Sequence, residues 1–137
     1  MSPLDEQLLQ RKITAIRADL LELEKFSTLS KEEYIQKYEL QLQIERILEK
    51  IIGRLIDINF HVLKEKYQLI AEDYYSSFVK IGEVGGAPSQ LAMELAKAAG
   101  LRNILAHEYD QIDPVQVYSS IGQVLKTVPK YLQALNS

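Results

Sequence analysis

The sequence of 137 residues contains no cysteine, only two histidines and only four prolines. Without cysteine there can be no disulfide bond and no thiolate ligand for a metal ion, which suits a reducing compartment. Charged residues interrupt every apolar run within a few positions, so no membrane span is expected. The first residues have neither the basic nor the apolar segment of a signal peptide. We therefore expect a cytoplasmic protein.

Positive charge is also scarce, because 16 lysines and arginines face 19 aspartates and glutamates, for a net charge of −3. A protein that binds nucleic acid over a large part of its surface is usually basic. A polyanionic ligand would therefore have to be held by a local cationic patch, and no DNA-specific site is evident. The length is that of one domain, which we assign to residues 1–137.

Apolar residues recur at helical spacing along the chain, and no strand pattern, repeat or linker interrupts them. The spacing predicts helices over residues 4–26, 31–66, 72–84, 88–109 and 114–135. Ser30 followed by Glu33 predicts a capping box at the second start, and Pro129 is expected to kink or split the last helix. We predict an all-α fold, an up-and-down bundle of four to five helices.

A polar stripe runs along the long second helix and consists of Arg46, Lys50, Arg54, Asp57 and His61. These residues fall within about 80° of one another on the helix surface. They could form a solvated face with internal ion pairs such as Arg54–Asp57. Alternatively, they could form a polar and basic wall that faces another helix of the bundle. We interpret His61 as structural.

The run from Gly100 to Asp110 combines Arg102, His107 and Tyr109 within eight positions. Histidine can take and give a proton near neutral pH, and the planar arginine side chain matches a phosphate. Together they predict phosphodiester chemistry without a metal ion. Each residue also has a structural explanation: a surface ion pair for Arg102, a helix C-terminus for His107 and the edge of the core for Tyr109.

Helical geometry predicts how this run is arranged. At about 100° per residue, Arg102 and Tyr109 are about 20° apart, and Asn103 lies one turn from His107. The opposite half is apolar and is predicted to be buried. Glu108 falls on that apolar half, so we expect the helix to fray or bend there.

The pattern Arg102-x4-His107-x-Tyr109 resembles the signature of the HEPN superfamily, in particular that of HepT-like toxins. Residues 46–63, 74–78 and 91–132 also read like this family. The resemblance implies a metal-independent endoribonuclease without a cofactor, the toxin of a toxin–antitoxin pair, with RNA as substrate. It also favours the wall interpretation of the polar stripe, which would make Arg46 and Asp57 supporting residues of the site.

In such an enzyme His107 would be the general acid and base, Arg102 the phosphate clamp, and Asn103 a hydrogen-bond donor or an orienting group. Each chain offers one motif histidine for a reaction that moves two protons. We therefore expect a two-fold homodimer in which the Arg102 and His107 pairs of both chains share one cleft. The resemblance further implies a hetero-oligomer with an MNT-type nucleotidyltransferase antitoxin that adenylylates Tyr109.

Two other functions stay open at this point. The chain could be a non-catalytic HEPN scaffold or binding subunit that partners a nucleotidyltransferase. It could also be a dimerising bundle without a ligand. The intact pair of Arg102 and His107 favours the nuclease, because a scaffold has no need to keep both residues.

Overall fold

The computed structural model describes residues 2–136, and within this range every regular element is helical. The α-helices are α1 (Pro3–Glu24), α2 (Lys31–Gln36), α3 (Tyr38–Tyr67), α4 (Tyr74–Glu83), α5 (Ser89–Ala96), α6 (Ala98–His107) and α7 (Pro114–Leu135). A single 3₁₀ turn, Tyr109–Gln111, separates the last two. The predicted all-α class is confirmed. Single residues divide α2 from α3 and α5 from α6, so the chain follows the course of about five longer helices, as predicted.

Helix α3 is the centre of the bundle, because it packs against α1, α2, α4, α6 and α7. Its buried side chains are mostly isoleucine and leucine at helical spacing, and Ile44, Leu48, Ile51, Leu55 and Ile58 are among those without exposed surface. Burial of such side chains is the main stabilising term for a chain of this size.

The predicted second helix over residues 31–66 is two helices. Its start is correct, since the Glu33 N–H donates to the Ser30 hydroxyl at 3.1 Å as in a capping box. Lys37 leaves the helical region, with φ −112° and ψ 93°. The Gln41 side-chain amide donates to the carbonyl oxygens of Tyr34 and Ile35, each at 3.0 Å, and so supplies partners for the free end of α2. The sequence pattern continues across this break, so it did not reveal it.

The predicted helix over residues 88–109 is also divided. A turn at Lys97 separates α5 from α6, and α6 ends at His107. Glu108 has φ −126° and ψ 59°, which confirms the predicted bend at this residue. The helix that carries the motif is therefore only ten residues long.

The last helix begins as predicted, with the Asp113 carboxylate accepting from the Val115 N–H at 3.0 Å. It runs unbroken through Pro129, so the predicted split does not occur. Proline removes one backbone hydrogen bond and crowds the preceding turn. Here Val128 and Tyr131 on either side of it are fully buried, and this packing holds the helix together.

A chain of buried hydrogen bonds joins α3, α4 and α7. The Tyr131 hydroxyl donates to the Asn59 side-chain oxygen at 2.6 Å, and the Asn59 amide donates to the Ser77 hydroxyl at 3.1 Å. Ser77 in turn donates to the carbonyl oxygen of Tyr74 at 2.7 Å. Burial raises the pKa of Tyr131 above its usual range, so this hydroxyl remains a donor. These linked hydrogen bonds tie the first turn of α4 to the core.

Across residues 2–136, each helix is either too short or too polar to cross a membrane.

Candidate functional site

Helix α6 presents a buried apolar side and an exposed polar side, as its sequence predicts. Leu101 and Leu105 are buried and Ile104 is half-buried. Asn103 and His107 are exposed on the opposite side. The helix therefore holds its polar motif residues at the surface by packing its apolar residues against α3.

Arg102 is half-buried where α6 meets α3 and α4. Its Cζ atom lies over the ring of Tyr74, 5.5 Å from the ring centroid. Its Nε atom lies close to Gly53 of α3, 3.7 Å from where a Cβ atom would stand on that glycine. Within residues 2–136 the guanidinium has no ion pair and no hydrogen bond, so its N–H donors remain available for an anionic ligand.

His107 is the last residue of α6, and Asn103 precedes it by one helical turn. Residues at this spacing are neighbours on a helix surface, so the amide and the imidazole can reach the same ligand. Arg102 and His107 are five residues apart, which is roughly 7.5 Å along the helix axis. Both are reachable by neighbouring groups of one polynucleotide.

Tyr109 lies outside the helix, in the 3₁₀ turn, and its side chain is 70% exposed. The predicted place of Tyr109 on the stripe of Arg102 requires a helix that continues beyond Glu108, and it is wrong because α6 ends at His107. The backbone at Glu108 redirects the chain before Tyr109 is reached. The phenol oxygen has no hydrogen-bond partner among the residues described, so an enzyme could approach it.

Part of the polar stripe of α3 is paired with α1. Asp19 of α1, which is 6% exposed, accepts from Arg54 Nη1 and forms an ion pair with Lys50 Nζ at 3.2 Å. Arg54 therefore pairs with Asp19 and not, as one alternative had it, with Asp57. For the rest of the stripe, the wall facing the motif helix stays a prediction. Helical periodicity places residues on a common side but does not say which neighbouring helix that side meets.

The two supporting residues predicted on this stripe, Arg46 and Asp57, have other partners. Arg46 Nη1 lies 3.3 Å from Glu49 Oε2 on the same helix, and Asp57 Oδ2 lies 4.0 Å from Lys12 Nζ on α1. Neither of these contacts involves α6, and a supporting role for Arg46 and Asp57 in the site stays a prediction. His61 is half-buried, which agrees with a structural role, and its charge is a minor contribution to the lowered pKa of Asp5, after the hydrogen bond from Ser2.

Three residues that the sequence did not single out as part of the site contact or support Arg102. Tyr74 provides the ring, and Phe60 packs edge-on against Tyr74 with centroids 6.4 Å apart and an interplanar angle of 75°. Gly53 and Phe60 are seven residues apart on α3, about two turns, so both lie on the side that meets α4 and α6. That spacing was visible in the sequence, whereas the position of Tyr74 depends on how α4 packs.

A shallow groove runs beside this cluster. It is lined by Glu72, Asp73, Tyr74, Tyr75, Ala99, Gly100 and Asn103. In the described part of the chain, no three histidine, aspartate or glutamate side chains converge as metal ligands would. The groove therefore combines two carboxylates, two tyrosine rings and the Asn103 amide.

Comparison with known proteins gives one consistent family. A family model described as Ribonuclease HepT-like matches residues 16–135. A protein of Aphanizomenon flos-aquae named tRNA nuclease HepT is 34% identical over 137 residues, which are 100% of this chain and 93% of that protein. A chain in a crystal structure of a toxin–antitoxin with AMP-PNP superposes with a TM-score of 0.85 at 20% identity, covering 94% of this chain and 97% of that one.

Proposed function

This chain belongs to the HepT-like ribonuclease family, and on that premise we propose that it is a metal-independent endoribonuclease whose reaction uses Arg102 and His107. The observation that carries the proposal is the pairing of two available groups on the ten-residue helix α6. Arg102 has no anionic partner within residues 2–136, and His107 is exposed one and a half turns further on.

RNA supplies its own nucleophile, the 2′-hydroxyl. A base removes the proton of that hydroxyl, its oxygen attacks the adjacent phosphorus, and an acid protonates the departing 5′-oxygen. We assign the proton transfers to His107 and the stabilisation of the charged phosphoryl oxygens to Arg102. Asn103 would donate a hydrogen bond to the same phosphate or orient the imidazole. The products would carry 2′,3′-cyclic phosphate ends.

We propose tRNA as the substrate class, on the strength of the relative from Aphanizomenon flos-aquae, which is named for that activity and is similar over the whole chain. A folded RNA also suits the charge of this protein. At a net charge of −3 the surface cannot attract polyanions in general, so selectivity has to come from contacts near Arg102.

We further propose that the active form is a two-fold homodimer with the α6 helices side by side. Two proton transfers are best served by two titrating groups, and each chain brings one motif histidine. A symmetric dimer would place two pairs of Arg102 and His107 in one cleft. Analytical ultracentrifugation of the purified chain should show a dimer at the concentration of the assay. A fully active monomer would contradict this part of the proposal.

The same proposal makes the protein a toxin that a nucleotidyltransferase-fold antitoxin neutralises at Tyr109. The phenol oxygen would attack the α-phosphorus of ATP, forming a tyrosine–AMP phosphodiester and releasing pyrophosphate. The 70% exposed side chain of Tyr109 supports access by a second protein. The added adenylate would bring negative charge and bulk to the end of α6 and compete with RNA.

The decisive experiment incubates the purified protein with tRNA in the presence of EDTA. Cleavage is expected in the wild type and is expected to be lost in His107→Ala, which removes the proton-transfer group from an exposed position. Cleavage that stops on addition of EDTA would contradict metal independence. An inactive wild type would favour a scaffold role instead.

A separate experiment tests Tyr109. The protein is co-expressed with a candidate antitoxin of the nucleotidyltransferase fold, and the peptide containing Tyr109 is examined by mass spectrometry. The mass of one adenylate is expected on this peptide and should be absent in Tyr109→Phe. Full neutralisation of an unmodified protein would contradict adenylylation.

A further inference from the structure

Arg102 is held in an unusual way for a half-buried arginine. A side chain of this kind is normally held by a carboxylate, as Arg54 of α3 is held by Asp19 of α1. Arg102 instead lies over the Tyr74 ring, with its Cζ atom 5.5 Å from the ring centroid. An aromatic ring attracts the face of a guanidinium, whereas a carboxylate occupies the N–H donors at its edge.

This difference matters for a phosphate clamp. The N–H donors that would grip a phosphate are the ones that a carboxylate would take, and a nearby carboxylate would also repel the phosphate. A ring restrains the position of the guanidinium without taking either its donors or its charge. From this geometry we propose that Tyr74 is a positioning residue for Arg102: its ring holds the guanidinium with its donors free for the RNA phosphate. The inference rests on the proposed role of Arg102.

Tyr74 is itself held firmly enough for this task. The Phe60 ring packs edge-on against it, and its carbonyl oxygen accepts from Ser77, the end of the buried hydrogen-bond chain through Asn59 and Tyr131. Its hydroxyl makes no hydrogen bond within residues 2–136. The contact with Arg102 therefore depends on the aromatic face and not on the hydroxyl.

Gly53 completes the arrangement from the side of α3. A Cβ atom at this position would meet Arg102 Nε at 3.7 Å, an ordinary van der Waals distance, and a longer side chain would enter the space of the guanidinium. The guanidinium thus has a ring on one side and a nearly bare stretch of helix on another. Both surfaces restrict its position, and neither offers a competing anion.

The test compares variants of the full chain by their kcat and KM for cleavage of the same RNA in EDTA. Tyr74→Phe keeps the aromatic face and should retain wild-type activity within about twofold, since a ring of similar electron density still faces the cation. Tyr74→Leu removes the face and should lower kcat/KM by roughly 3- to 30-fold, mainly through kcat. If Tyr74→Leu only frees the Arg102 guanidinium to move, its melting temperature should stay near that of the wild type, whereas a folding defect would lower it.

The matched control is Tyr38. It begins α3, is 68% exposed, and has no ring or cation contact among the described residues. Because it precedes Gly53 by roughly 22 Å along the helix axis, Tyr38→Leu makes the same substitution far from Arg102 and should leave kcat/KM within about twofold of wild type. Equal losses for Tyr74→Leu and Tyr38→Leu would overturn the proposal.

A graded series removes any doubt about folding. Starting from Tyr74→Phe, the ring introduced by this substitution is replaced by phenylalanine analogues with one, two and three ring fluorines. The fluorines withdraw electron density from the face of the ring at nearly constant shape. The logarithm of kcat/KM should fall steadily with fluorine number while the melting temperature stays constant. A flat series, with wild-type cleavage intact and Arg102→Ala inactive, would refute the role of Tyr74 and leave the proposed function standing. An inactive wild type would refute both.

Discussion

Two arginines at contacts of the central helix, one on α3 itself and one on α6, show how one residue type serves two purposes. Arg54 and Arg102 are both half-buried and both lie at contacts between helices. Arg54 shares the buried carboxylate of Asp19 with Lys50, which fastens α3 to α1. Arg102 has an aromatic neighbour and no carboxylate within the described residues. The partner, and not the exposure, distinguishes the two.

The difference follows from the cost of burying charge. A carboxylate offsets the lost hydration of a cation but also consumes its capacity to bind anything else. A ring offsets less and leaves the charge available. A half-buried arginine without a carboxylate is therefore less favourable for folding and more useful for binding an anion, which is why we place the site at Arg102 and not along the stripe of α3.

The largest expected effect comes from replacing each of the two arginines with alanine in turn. Arg102→Ala should lower RNA cleavage by about 100-fold or more, as expected when one group that stabilises developing phosphoryl charge is lost. Arg54→Ala should leave the activity of the folded protein within about twofold, since its partner is on α1 and not in the site. The measurement is kcat/KM for both variants at equal concentrations of folded protein. Similar losses in both would break the comparison.

Unfolding free energy, unlike activity, should depend on the ion pairs of Arg54 and not on the site at Arg102. Asp19→Ala leaves Arg54 and Lys50 without their carboxylate and should lower the free energy of unfolding by about 2 kcal/mol, a value reduced for the partial exposure of both cations. The matched control is Asp57→Ala. Asp57 is 62% exposed in its side chain and lies 4.0 Å from Lys12, so its loss should cost about 0.5 kcal/mol or less. Urea unfolding of the two variants decides this, and equal values would show that burial of Asp19 has no energetic consequence.

A smaller effect is expected in the hydrogen-bond chain behind Tyr74. Tyr131→Phe leaves the buried oxygen of Asn59 without its donor and should cost about 1 kcal/mol in unfolding free energy. Tyr34→Phe is the control, because the buried Tyr34 hydroxyl has no hydrogen-bond partner in residues 2–136. Removing that hydroxyl should be neutral or slightly stabilising. Thermal unfolding of both variants would test the contrast, which disappears if Tyr34→Phe is the more destabilising change.

The smallest effect concerns the N-cap of α4, next to Tyr74. Hydrogen bonds from the backbone and side chain of Ser76 lower the pKa of Asp73 from 3.8, so the folded state favours the charged carboxylate. A lowered folded-state pKa contributes stability above pH 3.8, and this is lost as the pH falls through the lowered value. Asp73→Asn keeps a capping oxygen without the charge. Its stability deficit against wild type should therefore shrink on acidification below pH 3.8, and a deficit independent of pH would contradict this.

Much of the fold could be predicted because it depends on local rules. Helical periodicity predicted the all-α class, and the capping residues Ser30 and Asp113 marked the correct starts of α2 and α7. The breaks at Lys37 and Lys97 were missed, since the apolar spacing continues across both. Propensity also predicted a kink or a split at Pro129, and the split does not occur where buried residues lie on both sides of the proline. Local signals therefore identify where helices begin more reliably than where packing divides them or keeps them whole.

The sequence by itself determined the chemistry available in this protein. It put Arg102, Asn103 and His107 on one helix at a spacing that leaves all three outside the apolar side, because the period of a helix depends only on the backbone. Only the tertiary structure decided which groups stand beside them. It paired Arg46 with Glu49 and Asp57 with Lys12, directed Tyr109 out of the helix, and brought Tyr74 over Arg102 from another element. The physical reason is that a helix position specifies a direction, while the neighbour found in that direction depends on how the other helices pack.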